Sequence, residues 1–154
     1  LVRDPRVVFS VSATTRPPRA GERDGVDYRF YDEERFAREV EQGLFLEHAI
    51  VHGRRYGTPR LPIEEALATG RYALLDIDVQ GAEQLRRQRV EGTYILLVPP
   101  SLAELRRRLE ARGTETREQI ERRLARAEQE LARRDLFDHV VTNDVLERAT
   151  AEIE

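Results

Sequence analysis

Apolar positions fall into short runs here, and their spacing shifts along the chain between strand-like and helix-like. Arg6-Val7-Val8-Phe9-Ser10-Val11-Ser12 holds four apolar residues, three of them β-branched, and predicts a short buried strand. Residues 13–25 carry two prolines and two glycines and predict a long loop with defined bends. Residues 26–31 suit a short strand. Asp32-Glu33-Glu34 opens a helix whose Phe36, Ala37 and Val40 share a face and which Gly43 ends. A strand over 44–51, a hairpin or turn over 52–57 and a short helix over 62–69, stopped by Gly70, follow.

The second half has a cleaner rhythm. The pattern predicts buried strands over 71–76 and 93–98, with a helix over 79–87 between them. Ser101-Leu102-Ala103-Glu104 reads as a capping box ahead of a helix lined by Leu102, Leu105 and Leu109 and ended by Gly113. Thr116 with Gln119 reads as a second box, and Ile120, Leu124, Ala127 and Leu131 recur at helical spacing behind it. A strand over 139–142 and a helix over 144–154 close the chain. Strand–helix alternation predicts an α/β fold with a parallel sheet covered on both faces, interrupted by a mixed segment from about 14 to 70.

Length and composition narrow the classes. The 154 residues suit one domain, and 40% hydrophobic residues support a core despite a 36% charge load. There is no cysteine, so disulfide scaffolds and thiolate chemistry are excluded. A net charge of -3 offers no basic field for nucleic acid. No apolar run approaches a membrane span, and 1–6 carries no signal-peptide pattern, so a soluble, cytoplasmic protein is expected. All 26 basic residues are arginine, so no lysine is available to hold a phosphate. Methionine is also absent, and the chain is expected to be a piece of a longer one.

In open α/β sheets, ligands sit beyond the carboxyl ends of the strands. Ser12 ends the first strand and leads to Arg16-Pro17-Pro18-Arg19, two guanidinium forks held by two prolines, a suitable receptor for phosphate or else a solvated basic loop. The strand over 71–76 leads into Asp76-Ile77-Asp78, a carboxylate position suited to magnesium or to capping the next helix. Gln80-Gly81 behind it suggests close backbone approach. Glu47 lies in a mostly apolar stretch and needs a partner or a ligand; Arg54 and Arg55 are candidate ion-pair partners. Tyr28, Tyr56 and Thr58 add hydroxyls. The arginines between 106 and 126 are interleaved with acids and read mainly as a solvated face with i,i+4 pairing. His48, His52 and His139 have no metal-ligand spacing.

Together these segments resemble the guanylate kinase family, over nearly the whole chain and in order. The residues that carry the resemblance are Phe9 to Glu22 with its Thr14-Thr15-Arg16-Pro17-Pro18-Arg19, Gly25-Val26-Asp27-Tyr28, Phe45-Leu46-Glu47, Tyr56-Gly57-Thr58, Asp76-Ile77-Asp78-Val79-Gln80-Gly81, Pro99-Pro100-Ser101, Arg112-Gly113-Thr114-Glu115 and Asn143-Asp144. The resemblance implies a three-layer P-loop kinase fold. Its core would be residues 1–11 and 72–154, a GMP-binding domain would be inserted over 12–71, and a helical lid would span 111–127.

The implied activity is transfer of the γ-phosphate of ATP to GMP, with Mg²⁺ as cofactor. GMP and ATP would be the partners, without nucleic acid or membrane, and a homo-oligomer stays open. The resemblance implies that Arg16, Arg19, Tyr28 and Tyr56 hold the GMP phosphate and that Ser12, Glu47 and Thr58 face the guanine. Asp76 and Asp78 would lie near magnesium and the nucleotide. Arg19, Arg112 and Arg123 would stabilise the transferring phosphoryl group, and Asn143 and Asp144 would edge the adenine site.

The family also places a strand, the loop G-x-x-x-x-G-K-[ST] and a helix, roughly 30 residues, ahead of the first strand seen here. No glycine precedes Gly21 in this chain. The sequence as given is therefore expected to transfer phosphate poorly by itself. A second reading is a catalytically inactive guanylate-kinase-like module that holds a phosphorylated ligand. Such scaffolds typically erode the lid arginines and base-reading groups, and Glu47, Asp78, Arg112 and Arg123 all survive here, which favours the enzyme.

Overall fold

A computed structural model describes residues 4–113 and 115–153. The chain forms two compact units, Leu1–Val90 and Glu91–Glu154.

In the first unit, strand β1 (Val7–Phe9) pairs in parallel with β6 (Tyr72–Leu74), Val7 opposite Tyr72 and Phe9 opposite Leu74. The expected strand over 6–12 is shorter than its apolar run, because Ala13–Thr14 leaves it to form β2 in a second sheet. The strand expected over 71–76 is likewise short, and Tyr72 is 63% exposed rather than buried. The intervening residues build a four-stranded sheet in the order β3-β2-β5-β4, with β3 at Arg29–Phe30, β4 at Phe45–Val51 and β5 at Arg54–Pro59. Only His52 and Gly53 turn the chain between β4 and β5, both at positive φ, which suits a two-residue hairpin whose twist matches its strands. Residues 54–57, expected within the turn, are strand. Their own pattern is too polar to announce it, and pairing with β4 and β2 supplies the reason.

Helix α1 (Glu33–Glu41) starts where the sequence predicts, with Asp32 accepting from the Arg35 N–H at 2.7 Å. Its Phe36 is 1% exposed and stacks on Phe45 at 4.6 Å, closing a small core with Ala13. Burying a side chain of this size stabilises by about 1.5–3 kcal/mol. Helix α2 (Arg60–Ala68) begins two residues before Pro62, which fits in a first turn because no intrahelical N–H is needed there. Helix α3 spans Val79–Arg87, as the periodicity predicts, capped by Asp78.

In the second unit, β7 (Ile95–Val98) and β8 (His139–Thr142) pair in parallel, and α4 (Leu102–Arg112), α5 (Arg117–Leu131) and α6 (Leu146–Ile153) surround them in sequence. Leu109, Ile120 and Leu124 bury the seam between α4 and α5. Thr116 and Gln119 exchange both bonds of a capping box. Ser101 caps α4, but the Glu104 carboxylate turns to Arg107 and Arg108, two stronger charged donors, instead of closing the predicted box. Those two arginines hold the Glu104 carboxyl down at about 2. Gly113 ends α4 in the left-handed region at φ 63°.

Candidate functional site

Strand β4 alternates, so Glu47, Ala49 and Val51 share one face, and the β5 register sets Thr58 opposite Glu47 and Tyr56 opposite Ala49. Glu47, Ala49, Val51 and Tyr56 wall a cavity of about 230 Å³. Ser12, Tyr28, Gly57, Asp76, Ile77 and Asp78 complete its lining. Six of the sequence-predicted residues therefore meet in one place: Ser12, Tyr28, Glu47, Tyr56, Asp76 and Asp78.

Thr58 stands behind Glu47. Its hydroxyl donates to Glu47 Oε1 at 2.6 Å, and both groups are buried. Burial pushes the Glu47 carboxyl above its ordinary value, the Asp78 charge adds to that, and the Thr58 bond opposes it. The alternative of a Glu47 ion pair with Arg54 or Arg55 does not form; Arg55 meets Glu33 at 3.1 Å. The close backbone approach suggested at Gly81 has its partner here, since a Cβ at position 81 would stand 2.5 Å from Glu47 Oε2.

Arg16 lies beside this cavity, its guanidinium 5.2 Å from the centre of the Tyr28 ring, and Tyr28 meets Tyr56 edge to face at 6.0 Å. Both prongs of Arg16 are taken by Glu22, each at 2.9 Å. The same carboxylate accepts the Arg19 backbone N–H at 2.7 Å. Glu22 ties the Arg-Pro-Pro-Arg loop into one piece, a role that its place at the end of the segment Phe9 to Glu22 does not announce. Its spacing, six residues beyond Arg16, was the available signal. The Arg19 side chain is exposed and has no ion pair among the described residues. Burial raises the Tyr28 hydroxyl above its ordinary value, so it remains an O–H donor at neutral pH.

Asp78 is the N-cap of α3. Its Oδ1 accepts the Gly81 N–H and its Oδ2 the Gln80 side-chain amide, both at 3.0 Å. Asp76 is exposed at the cavity. Among the described residues there is no group of three or more His, Asp or Glu side chains arranged to hold a metal ion. Two carboxylates do suit magnesium, which keeps several waters and is bound by one or two carboxylates together with substrate phosphates.

In the second unit, Arg112 is the last residue of α4, exposed and without an ion pair among the described residues. Arg123 of α5 pairs with Glu115 at 2.9 Å. Asp144 pairs with Arg148 at 2.7 Å, and the Asn143 side chain is exposed while its carbonyl accepts from Arg108 at 2.9 Å. The expectation of i,i+4 pairing holds for Arg122 with Glu118 and Arg126 with Glu130. Arg106 differs: it forks Glu121 across the two helices at 2.6 and 2.9 Å.

Parallel strand pairs with following helices, and a cavity lined by the buried Glu47 carboxylate, Asp76, Asp78 and two tyrosines with Arg16 stacked beside Tyr28, define an α/β protein with a pocket for a small ligand. Comparison with known proteins gives the family. The guanylate kinase family model matches residues 3–154. A guanylate kinase of Thermus thermophilus is 52% identical over 147 residues, covering 96% of this chain and 67% of that protein. One from Frankia casuarinae is 52% identical over 151 residues, 98% of this chain and 82% of that protein. A crystal structure of guanylate kinase from Anaplasma phagocytophilum superposes with a TM-score of 0.81 at 38% identity, covering 96% of this chain and 72% of that one. The chain belongs to the guanylate kinase family, phosphotransferases that act between ATP and GMP. No helix among the described residues is long and apolar enough to cross a membrane.

Proposed function

We propose that residues 12–71 form the GMP-binding domain of this kinase and that GMP occupies the cavity between Glu47 and Tyr28. The observation that supports the reading is the buried Glu47 carboxylate lining that cavity with the Thr58 hydroxyl bonded to it. The hydroxyl holds one carboxylate oxygen, so the acceptor is oriented before the ligand arrives. Guanine offers N1–H and an exocyclic amine side by side; adenine has no such pair of donors for a carboxylate. A buried acceptor left unmatched costs about 1–3 kcal/mol, which makes the site selective. Ser12 lines the same cavity and adds a hydroxyl near the base.

The GMP phosphate is received by Arg16 and Arg19, with the Tyr28 and Tyr56 hydroxyls as neutral donors. A GMP phosphate oxygen attacks the γ-phosphorus of ATP, the bond to the β-phosphate oxygen breaks, and ADP leaves. Such transfer is mainly positioning and charge neutralisation, so fixed guanidinium groups are the needed catalysts and no histidine base is. Arg19, Arg112 and Arg123 take that role, the last two from a lid over 111–127. Residues 1–11 and 72–154 make the ATP-side core, and Asn143 and Asp144 edge the adenine. Asp76 and Asp78 would hold Mg²⁺, which when bound with ATP neutralises charge on the transferring phosphate.

The test is ADP release by the full-length protein with ATP and Mg²⁺, with GMP or AMP as acceptor. ADP release that depends on GMP and not on AMP is expected. Release independent of GMP, or equal with AMP, overturns the reading.

A further inference from the structure

Strand β4 is an edge of its sheet, so the main-chain groups of Leu46, His48 and Ile50 point away from β5. They meet a row of glutamines on α3. Gln88 at its C-cap donates to the Leu46 carbonyl at 3.1 Å. Gln84 donates to the His48 carbonyl at 2.6 Å and accepts the His48 N–H at 3.2 Å. Gln80 donates to the Ile50 carbonyl at 3.4 Å.

The spacing has a geometric basis. Four residues of helix rise about 6.0 Å and two residues of strand about 6.6 Å, so glutamines at i, i+4 and i+8 keep step with alternate strand residues over three rungs. An amide side chain carries a donor and an acceptor, as a peptide does. Gln84 therefore serves His48 as a neighbouring strand would, and the exposed edge is closed without one.

Glu47 lies between the two tightest rungs, and Gly81 of the same helix meets its carboxylate. We propose that this glutamine ladder sets the base acceptor: Gln84, with Gln88, is a positioning residue for guanine selection, acting through the β4 backbone on Glu47. The inference rests on Glu47 reading guanine. The rungs on either side of Glu47 touch only the main chain of Leu46 and His48, so they reach the base acceptor through the strand.

The test titrates GMP, inosine monophosphate and guanosine against the full-length protein and its Gln84→Ala and Gln88→Ala variants, with amide hydrogen exchange at His48. Inosine monophosphate lacks the exocyclic amine, so the parent should prefer GMP by roughly tenfold or more, the worth of one charge-assisted bond. Each variant should reduce that preference at least about threefold, as expected for coupled neighbours. The ratio of GMP to guanosine affinity, which reads the phosphate end, should hold. In Gln84→Ala the His48 amide should exchange faster by about tenfold or more. Gln88 is exposed, so its variant keeps the test decisive if Gln84→Ala does not fold. A parent without GMP preference overturns the Glu47 reading and this inference with it. A parental preference unchanged in the variants, equal loss for all three ligands, or unchanged His48 exchange overturns the inference alone.

Discussion

The Thr58 hydroxyl and the Glu47 carboxylate, 1% and 6% exposed, meet at 2.6 Å on directly paired positions of β5 and β4. With Oε1 bonded to Thr58, Glu47 lines the cavity instead of pairing with an arginine. Glu47→Gln keeps the size and exchanges an acceptor for an amide donor. GMP binding should weaken by roughly 2–4 kcal/mol, from lost charge-assisted bonds and a donor facing a donor. Inosine monophosphate should lose less. Calorimetric titration of both ligands checks this, and equal losses would count against guanine readout.

The same carboxylate gives a pH dependence. Its pKa in the fold is raised, chiefly by burial, so the fold favours the protonated form. Glu47 therefore contributes stability that is complete below its ordinary value of 4.5 and lost as pH rises through the raised value. Guanine needs the ionised form, so binding should decline with falling pH from a point above 4.5. The GMP phosphate titrates near 6, so guanosine is the cleaner probe. Titrations from neutrality down should show the decline in the parent and a flat profile in Glu47→Gln.

Gly81→Ala places a methyl 2.5 Å from Glu47 Oε2 and 2.9 Å from its Cδ. Alanine favours the helix by about 1 kcal/mol, so the melting temperature should change little while Glu47 is pushed aside. GMP affinity should fall roughly tenfold or more. Thermal melts beside GMP titrations separate the two effects, and unchanged affinity would remove Gly81 from the site.

Glu22 holds both prongs of Arg16 and the Arg19 N–H at once. Glu22→Gln should loosen that loop and weaken GMP by roughly 1–2 kcal/mol while guanosine binding stays constant. A gain in GMP affinity would instead identify Glu22 as a competitor for the phosphate. Paired titrations of GMP and guanosine decide between them.

On the proposed role of Arg112 and Arg123, neutralising charge that develops only in transfer, Arg112→Ala and Arg123→Ala in the full-length protein should lower kcat by as much as ~10³-fold and leave GMP binding nearly unchanged. Steady-state kinetics beside a GMP titration reads this. Arg123 also pairs with Glu115, so a melt is needed to separate its structural share. Unchanged kcat in both variants would remove them from the reaction.

The capped helix ends were legible in the chain because a cap is a local event, whereas α2 and α6, expected over 62–69 and 144–154, lie at Arg60–Ala68 and Leu146–Ile153. Asp32, Asp78, Ser101 and Thr116 each bond an N–H three residues on, and Gly113 needs only its own missing Cβ. Helix α3 and strand β8 fall where periodicity put them for the same reason. The identities of Arg16, Tyr28, Glu47, Tyr56 and Asp76 were equally readable, as was Glu47's need for a partner.

The bonds that join distant segments were not. Ala13–Thr14 is strand only because β3 and β5 flank it, and Arg54–Gly57 only because β4 supplies the partner. Gln84 finds His48 across 36 residues, and Thr58 rather than Arg54 or Arg55 donates to Glu47. A capping bond is decided by a few dihedrals within one turn. A cross-strand or helix–strand bond depends on register and on which edge a distant segment reaches, and those are settled only when the elements pack.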